Sequence, residues 1–119
     1  MGLTTVAIEI KNPYKIKQIR QVSFFVDTGA LYSIVPASLL EDIGISRRRQ
    51  QKFILANGEV ITRWVGEAMF KYEDREGTAP VIFGEEADKT VLGVVTLETL
   101  GLEVDPINRK LKPAPGLLI

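Results

Sequence analysis

Hydrophobic and polar positions alternate along much of this chain, and the alternation has the period of a β-strand. Thr4 to Ile10 reads TTVAIEI, which puts Val6, Ile8 and Ile10 on one side of a half-buried strand. Asn12-Pro13 marks a turn. Lys17 to Val26 alternates first and then runs solidly apolar at Phe24-Phe25-Val26, the pattern of a strand that becomes buried at its end. Ile34-Val35 predicts a short strand stopped by Pro36. Ala37 to Ile43 then switches to helical spacing, with Gly44 as its stop. Phe53 to Ile61 carries Asn57-Gly58 at its centre. That dipeptide predicts a hairpin closed by a type I′ turn, because it tolerates two positive φ values. The outgoing arm extends to Tyr72, and Glu73 to Thr78 (EDREGT) reads as a polar turn.

Ala79 to Phe83 predicts a further strand, and Val91-Leu92-Gly93 is an apolar run ending on glycine. Thr96 to Leu100 has the spacing of a second short helix, stopped by Gly101. Leu102-Glu103-Val104, a turn from Asp105-Pro106 to Asn108, and Lys110 to Lys112 complete the chain as strand, turn and return strand. With many strands and two short helices, the expected fold class is all-β with a barrel-like core. The two halves echo each other. Each runs from strand to glycine (Gly29, Gly93) and short helix, and each helix ends on Gly-hydrophobic, at Gly44-Ile45 and Gly101-Leu102.

Composition narrows the chemistry. A length of 119 residues with 45% apolar content fits one packed domain over 1–119. Fifteen basic and fifteen acidic residues cancel, so a general nucleic-acid binder, which needs a basic excess, is not expected. The absence of Cys and His removes disulfides, thiol nucleophiles, Ser-His triads and the usual zinc sites. Carboxylate chemistry remains, and no metal or other cofactor is expected. The first residues lack the pattern of a signal peptide, and no apolar run reaches the roughly 18 residues of a membrane span. The expectation is a soluble, cytoplasmic protein with no membrane partner.

One stretch stands out against that background: Phe24-Phe25-Val26-Asp27-Thr28-Gly29-Ala30. Taken alone, Asp-Thr-Gly is ordinary turn chemistry. Its setting is less ordinary. Three apolar residues carry the Asp27 carboxylate to the end of a strand expected to be buried, where a charge needs hydrogen bonds or a partner. Thr28 offers a hydroxyl, Gly29 lets another backbone come close, and Ala30 adds little bulk.

Those residues, with Ser33 three further on, the Asn57-Gly58 hairpin, Val91-Leu92-Gly93 followed by Leu97, and Gly101 to Pro106 with Leu111, occur in an order that resembles the retroviral-type (retropepsin-like) aspartic peptidases, as a cellular or prokaryotic single-domain member. The likeness runs from about Val6 to Lys112. It implies a closed retropepsin-like barrel with a flap hairpin, and peptide hydrolysis by water activated between two Asp carboxylates that share a proton. Asp-Thr-Gly occurs once. Asp42 falls in a helix pattern, Asp74 and Asp88 in polar turns, and Asp105 before a proline. The second carboxylate is therefore expected from the Asp27 of a homodimer partner.

The resemblance assigns further roles. Asp27 would be catalytic, and Thr28, Gly29 and Ala30 would support its loop, with Thr28 reaching across the dimer axis. Ala56, Asn57 and Gly58 would form the flap tip, with Phe53 to Ala56 available to a polypeptide substrate. Leu92 and Gly93 would be structural supports beside the site. Two departures are visible. Leu31 stands where viral members usually carry an acid, and Val94 where they often carry an arginine. This puts a viral-type ion pair bracing the dimer, and the substrate preference, in question. Arg47-Arg48-Arg49 with Lys52 reads as a solvated loop, and Trp64 as sheet-face packing. The apolar tail Leu117-Leu118-Ile119 could enter a dimer sheet, although Pro113 and Pro115 interrupt strand pairing just before it. The alternative function is a non-catalytic peptide-binding or dimerisation module on the same fold.

Overall fold

In the computed structural model, residues 4–116 and Leu118 are described, with Ile16 described by its backbone alone. The expected alternation at the start is realised in β1 (Thr5–Asn12), where Val6, Ile8, Ile10 and Asn12 point inward and are buried. β1 pairs antiparallel with β2 (Lys15–Val26), from Thr5 opposite Phe25 to Asn12 opposite Lys15. The remaining strands are β3 (Ser33–Pro36), β4 (Arg49–Ile54), β5 (Val60–Tyr72), β6 (Arg75–Gly84) and β7 (Val91–Leu92). Together with β1 and β2 they form one sheet in the order β1-β2-β7-β3-β6-β5-β4, and β1 also pairs with β5. The pairings thus run round a ring, with β4 attached to β5 outside it. β8 (Leu102–Asp105) and β9 (Lys110–Pro113) form a separate antiparallel pair.

The core lies inside this ring and beneath two helices, α1 (Ala37–Asp42) and α2 (Val94–Leu100). Phe24 and Phe70 meet there with ring centroids 6.2 Å apart, joined by Ile8, Ile10, Val35, Leu40, Ile43 and Leu92, all at 0% exposure. Each such side chain contributes about 1.5–3 kcal/mol by leaving water. Both helices stop where expected, with Gly44 at φ +76° and Gly101 at φ +66°. Arg75 reaches from β6 to donate to the carbonyls of Leu100 and Gly101, satisfying acceptors at the end of α2.

Three local expectations need correction. Asn57-Gly58 does make a hairpin, but not a type I′ turn. Leu55 N–H donates to Glu59 O (2.8 Å) and Gly58 N–H to Leu55 O (2.9 Å), which encloses a three-residue loop. Only Gly58 takes positive φ (+85°), while the Asn57 side chain accepts from Glu59 N–H. The polar run from Glu73 to Thr78 is mostly strand. The turn is Glu73-Asp74 alone, and Arg75 to Thr78 pair with Met69 to Tyr72, because cross-strand pairing outweighs polar composition. Finally, Phe24-Phe25-Val26 is not uniformly buried. Phe24 is inside and Phe25 is 40% exposed, since a strand must turn successive side chains to opposite faces.

Candidate active site

β2 delivers Asp27 to the surface, and β7 holds it there. The two strands run parallel, with Phe25 beside Val91 and Val26 beside Leu92. Phe25 N–H donates to Thr90 O (3.0 Å) and Asp27 N–H to Leu92 O (3.1 Å). On the other flank Val26 N–H donates to Thr4 O at 2.9 Å. The turn that follows is closed by Ala30 N–H donating to Asp27 O (3.1 Å). Gly29 N–H donates to Asp27 Oδ1 (2.9 Å), fixing one carboxylate oxygen and leaving the other for a further partner. Asp27, Thr28 and Gly29 are exposed in the single chain and Ala30 is half-buried, so the carboxylate is not buried as the apolar run had implied.

The loop then crosses the start of α2. Helix α2 has no side-chain cap at its N-terminus, and its first free N–H groups are satisfied by this loop. Val94 N–H donates to Ala30 O (2.8 Å) and Val95 N–H to Leu31 O (3.0 Å). Gly93 sits at the crossing. A Cβ there would lie 2.5 Å from the carbonyl carbon of Tyr32 and 2.7 Å from its oxygen. Gly93 φ is −94°, which any residue can adopt, so space rather than backbone freedom demands the glycine. Leu92 and Gly93 thus both touch the Asp27 loop through their backbones.

The β4–β5 hairpin carries Ala56, Asn57 and Gly58 at its exposed end, flanked by Ile54, Leu55 and Val60, which are 78%, 40% and 55% exposed. At its base Phe53 packs edge-on against Tyr32, with centroids 6.1 Å apart. The hairpin is thereby joined to the segment just after the Asp27 loop. Leu31 (52% exposed) and Phe25 bracket that loop with apolar surface. Leu118 is exposed, whereas Leu117 and Ile119 lie outside the described residues.

Two connections were not read from the sequence. Arg63 on β5 makes a two-pronged bond to Asp88, Nε to Oδ2 at 2.7 Å and Nη2 to Oδ1 at 3.0 Å. The Arg63 guanidinium holds the Asp88 carboxyl below its ordinary range, helped by Glu85 N–H and opposed by partial burial. The second is a buried hydroxyl pair, Ser33 and Thr96, with Oγ and Oγ1 2.6 Å apart. Neither pairing has a local sequence signal, because the partners are 25 and 63 residues apart. The basic run expected to be freely solvated is partly engaged. Arg47 pairs with Glu41 (2.7 Å) and stacks on Phe83, and Arg48 pairs with Glu67 (3.2 Å) and stacks on Tyr14. Trp64, opposite Gln50 on the hairpin, is 39% exposed.

Among the described residues no group of three or more acidic side chains gathers as a metal cage would require, and no helix is long and apolar enough to cross a membrane. Two shallow surface concavities, one beside Lys71 and Glu73 and one beside Tyr14 and Arg48, lie on parts of the surface that do not include Asp27.

A mostly-β chain, with an Asp-Thr-Gly loop on a strand end clasped by a distant Leu-Gly segment, defines a class in which a carboxylate is presented on rigid backbone. The family model described as "gag-polyprotein putative aspartyl protease" matches residues 13–99, which include both the loop and the clasp. The chain belongs to that aspartyl protease family. A search of the curated proteins found no match.

Proposed function

We propose that this chain is an aspartic endopeptidase that works as a homodimer, each subunit supplying Asp27. In this reading the strand ring is a closed barrel within a single domain. The observation that carries the proposal is the Asp27 loop: an exposed carboxylate on a backbone tied to Leu92 O and Ala30 N–H, with one oxygen held by Gly29 N–H. The other aspartates are poor second partners within the same chain. Asp88 is committed to Arg63, and Asp105 to the turn at Asn108. Asp42 ends a helix and Asp74 sits in the β5–β6 turn, both exposed.

Two Asp27 carboxylates brought together on a two-fold axis share one proton, since both cannot ionise at close range. The ionised carboxylate takes a proton from water as the oxygen attacks the scissile carbonyl. The protonated one hydrogen-bonds the carbonyl oxygen as it gains charge. The proton taken from water then passes to the leaving nitrogen and the C–N bond breaks. Thr28, Gly29 and Ala30 serve as loop supports, and Ala56, Asn57 and Gly58 as a flap over an extended peptide bound through strand-like hydrogen bonds. The exposed Ile54, Leu55, Val60, Leu31 and Phe25 favour apolar substrate side chains.

Denatured casein incubated from mildly acidic to neutral pH, with and without a statine inhibitor, tests this reading. The wild type is expected to cleave and the inhibitor to stop it. Asp27→Asn, which keeps the side-chain volume, is expected to lower the rate by about 10²–10⁴-fold or more. Full activity in that variant would sink the proposal, and peptide binding without cleavage by the wild type would favour a non-catalytic binding module.

A further inference from the structure

The Leu92–Gly93 peptide unit is used at both ends. Its carbonyl accepts Asp27 N–H at 3.1 Å, and its N–H donates to Ser33 Oγ at 3.0 Å. Ser33 Oγ in turn shares a hydrogen bond with Thr96 Oγ1 at 2.6 Å. Ser33 and Thr96 are both at 0% exposure, and they are the two polar residues among the largest fully buried side chains. A buried hydroxyl is unfavourable unless paired, so packing alone gives no reason for two here. What the pair does achieve is directional. It meets the Gly93 N–H and sets the rotation of the peptide plane whose other edge holds Asp27.

We infer that Ser33, braced by Thr96, is a positioning residue for Asp27, acting through the Leu92–Gly93 peptide. The inference rests on Asp27 being the reacting carboxylate, as proposed above. Ser33 supplies the acceptor and Thr96 fixes its rotamer and lone-pair direction. Loss of either lets the peptide plane turn, moves Leu92 O relative to Asp27 N–H, and displaces the carboxylate from its reacting geometry. A small displacement of a reacting group costs rate rather than substrate affinity.

The full-length protein would be compared with Ser33→Ala, Thr96→Val and Thr96→Ser, each checked for folding by circular dichroism. Peptide cleavage should show kcat falling by about ten- to a hundredfold in Ser33→Ala and less in Thr96→Val, with KM nearly unchanged. Thr96→Ser should recover most of kcat because it keeps the hydroxyl. A purely packing role predicts the reverse order, since valine keeps the volume of threonine and serine does not. A folded Ser33→Ala enzyme with wild-type kcat overturns the inference and leaves the peptidase reading intact. Amide hydrogen exchange by NMR gives a readout that needs no activity. The Gly93 and Asp27 amides should be protected in the wild type, and the Asp27 amide should lose protection in Thr96→Val. An unprotected Gly93 amide in the wild type, or unchanged Asp27 protection in Thr96→Val, overturns the inference even if no substrate is cleaved.

Discussion

Two glycines show how differently single residues constrain the backbone. Gly93 has an ordinary backbone conformation but no room, with Tyr32 backbone 2.5 Å from any added Cβ. Gly58 has ample room, nothing within 4 Å, but a φ of +85° that L side chains avoid. Gly93→Ala is therefore expected to destabilise by about 1–3 kcal/mol through overpacking and to shift the Asp27 loop. Gly58→Ala should cost only about 1–2 kcal/mol of backbone strain, confined to the hairpin end. Thermal unfolding monitored by circular dichroism would compare the two. A Gly93→Ala protein as stable as the wild type would mean the crossing is looser than described. At this scale the turn at Asp27 was legible, because three adjacent residues encode it. Ser33 was visible only as a motif position, and its hydrogen bonds were not, since they depend on where the chain returns 60 residues later.

Elements were legible where local propensity and packing agree. The long arm to Tyr72, both glycine-stopped helices and the strand ending at Pro36 all follow the alternation and breaker residues. The signals misled where composition was polar but pairing was available, as in Arg75 to Thr78. The link from β5 to the loop before β7 was invisible, because Arg63 and Asp88 each look like surface charges. That link has a pH signature. The folded Asp88 carboxyl titrates below its unfolded value, so its stabilisation is fully present above the unfolded pKa of about 3.9 and is lost as pH falls through the lower folded value. With both side chains mostly shielded, at 14% and 16% exposure, Asp88→Asn is expected to cost about 1–3 kcal/mol at neutral pH. The gap in melting temperature between wild type and variant should narrow as pH is lowered from 6 towards 3. A gap that stays constant over that range would show that the charge on Asp88 contributes nothing.

For the whole molecule, the all-β class was legible from the strand count, but which strands pair round the ring was not. It depends on β1 meeting β5 and on the parallel pairs β2–β7 and β3–β6, contacts that no local pattern encodes. The dimeric site proposed above predicts that activity per subunit falls on dilution through the dimer dissociation range, and that static light scattering shows the mass halving over the same range. Constant specific activity across that dissociation would mean that one chain suffices.

The clasp between β2 and β7 also bears on how the chain reaches its native state. Ser33 and Thr96 are 63 residues apart in sequence, and the backbone bond that fixes Asp27 closes a loop of similar length. Closing such a loop early is entropically unfavourable, and non-local parallel pairing places folding in a slow range of milliseconds to seconds. During synthesis, Asp27 leaves the ribosome long before Leu92 exists to receive its amide. The nascent chain therefore cannot fix the Asp27 backbone until Leu92 has emerged. On the homodimeric reading proposed above, two Asp27 carboxylates could meet only after this bond has formed in each chain, so the order of synthesis places site assembly last.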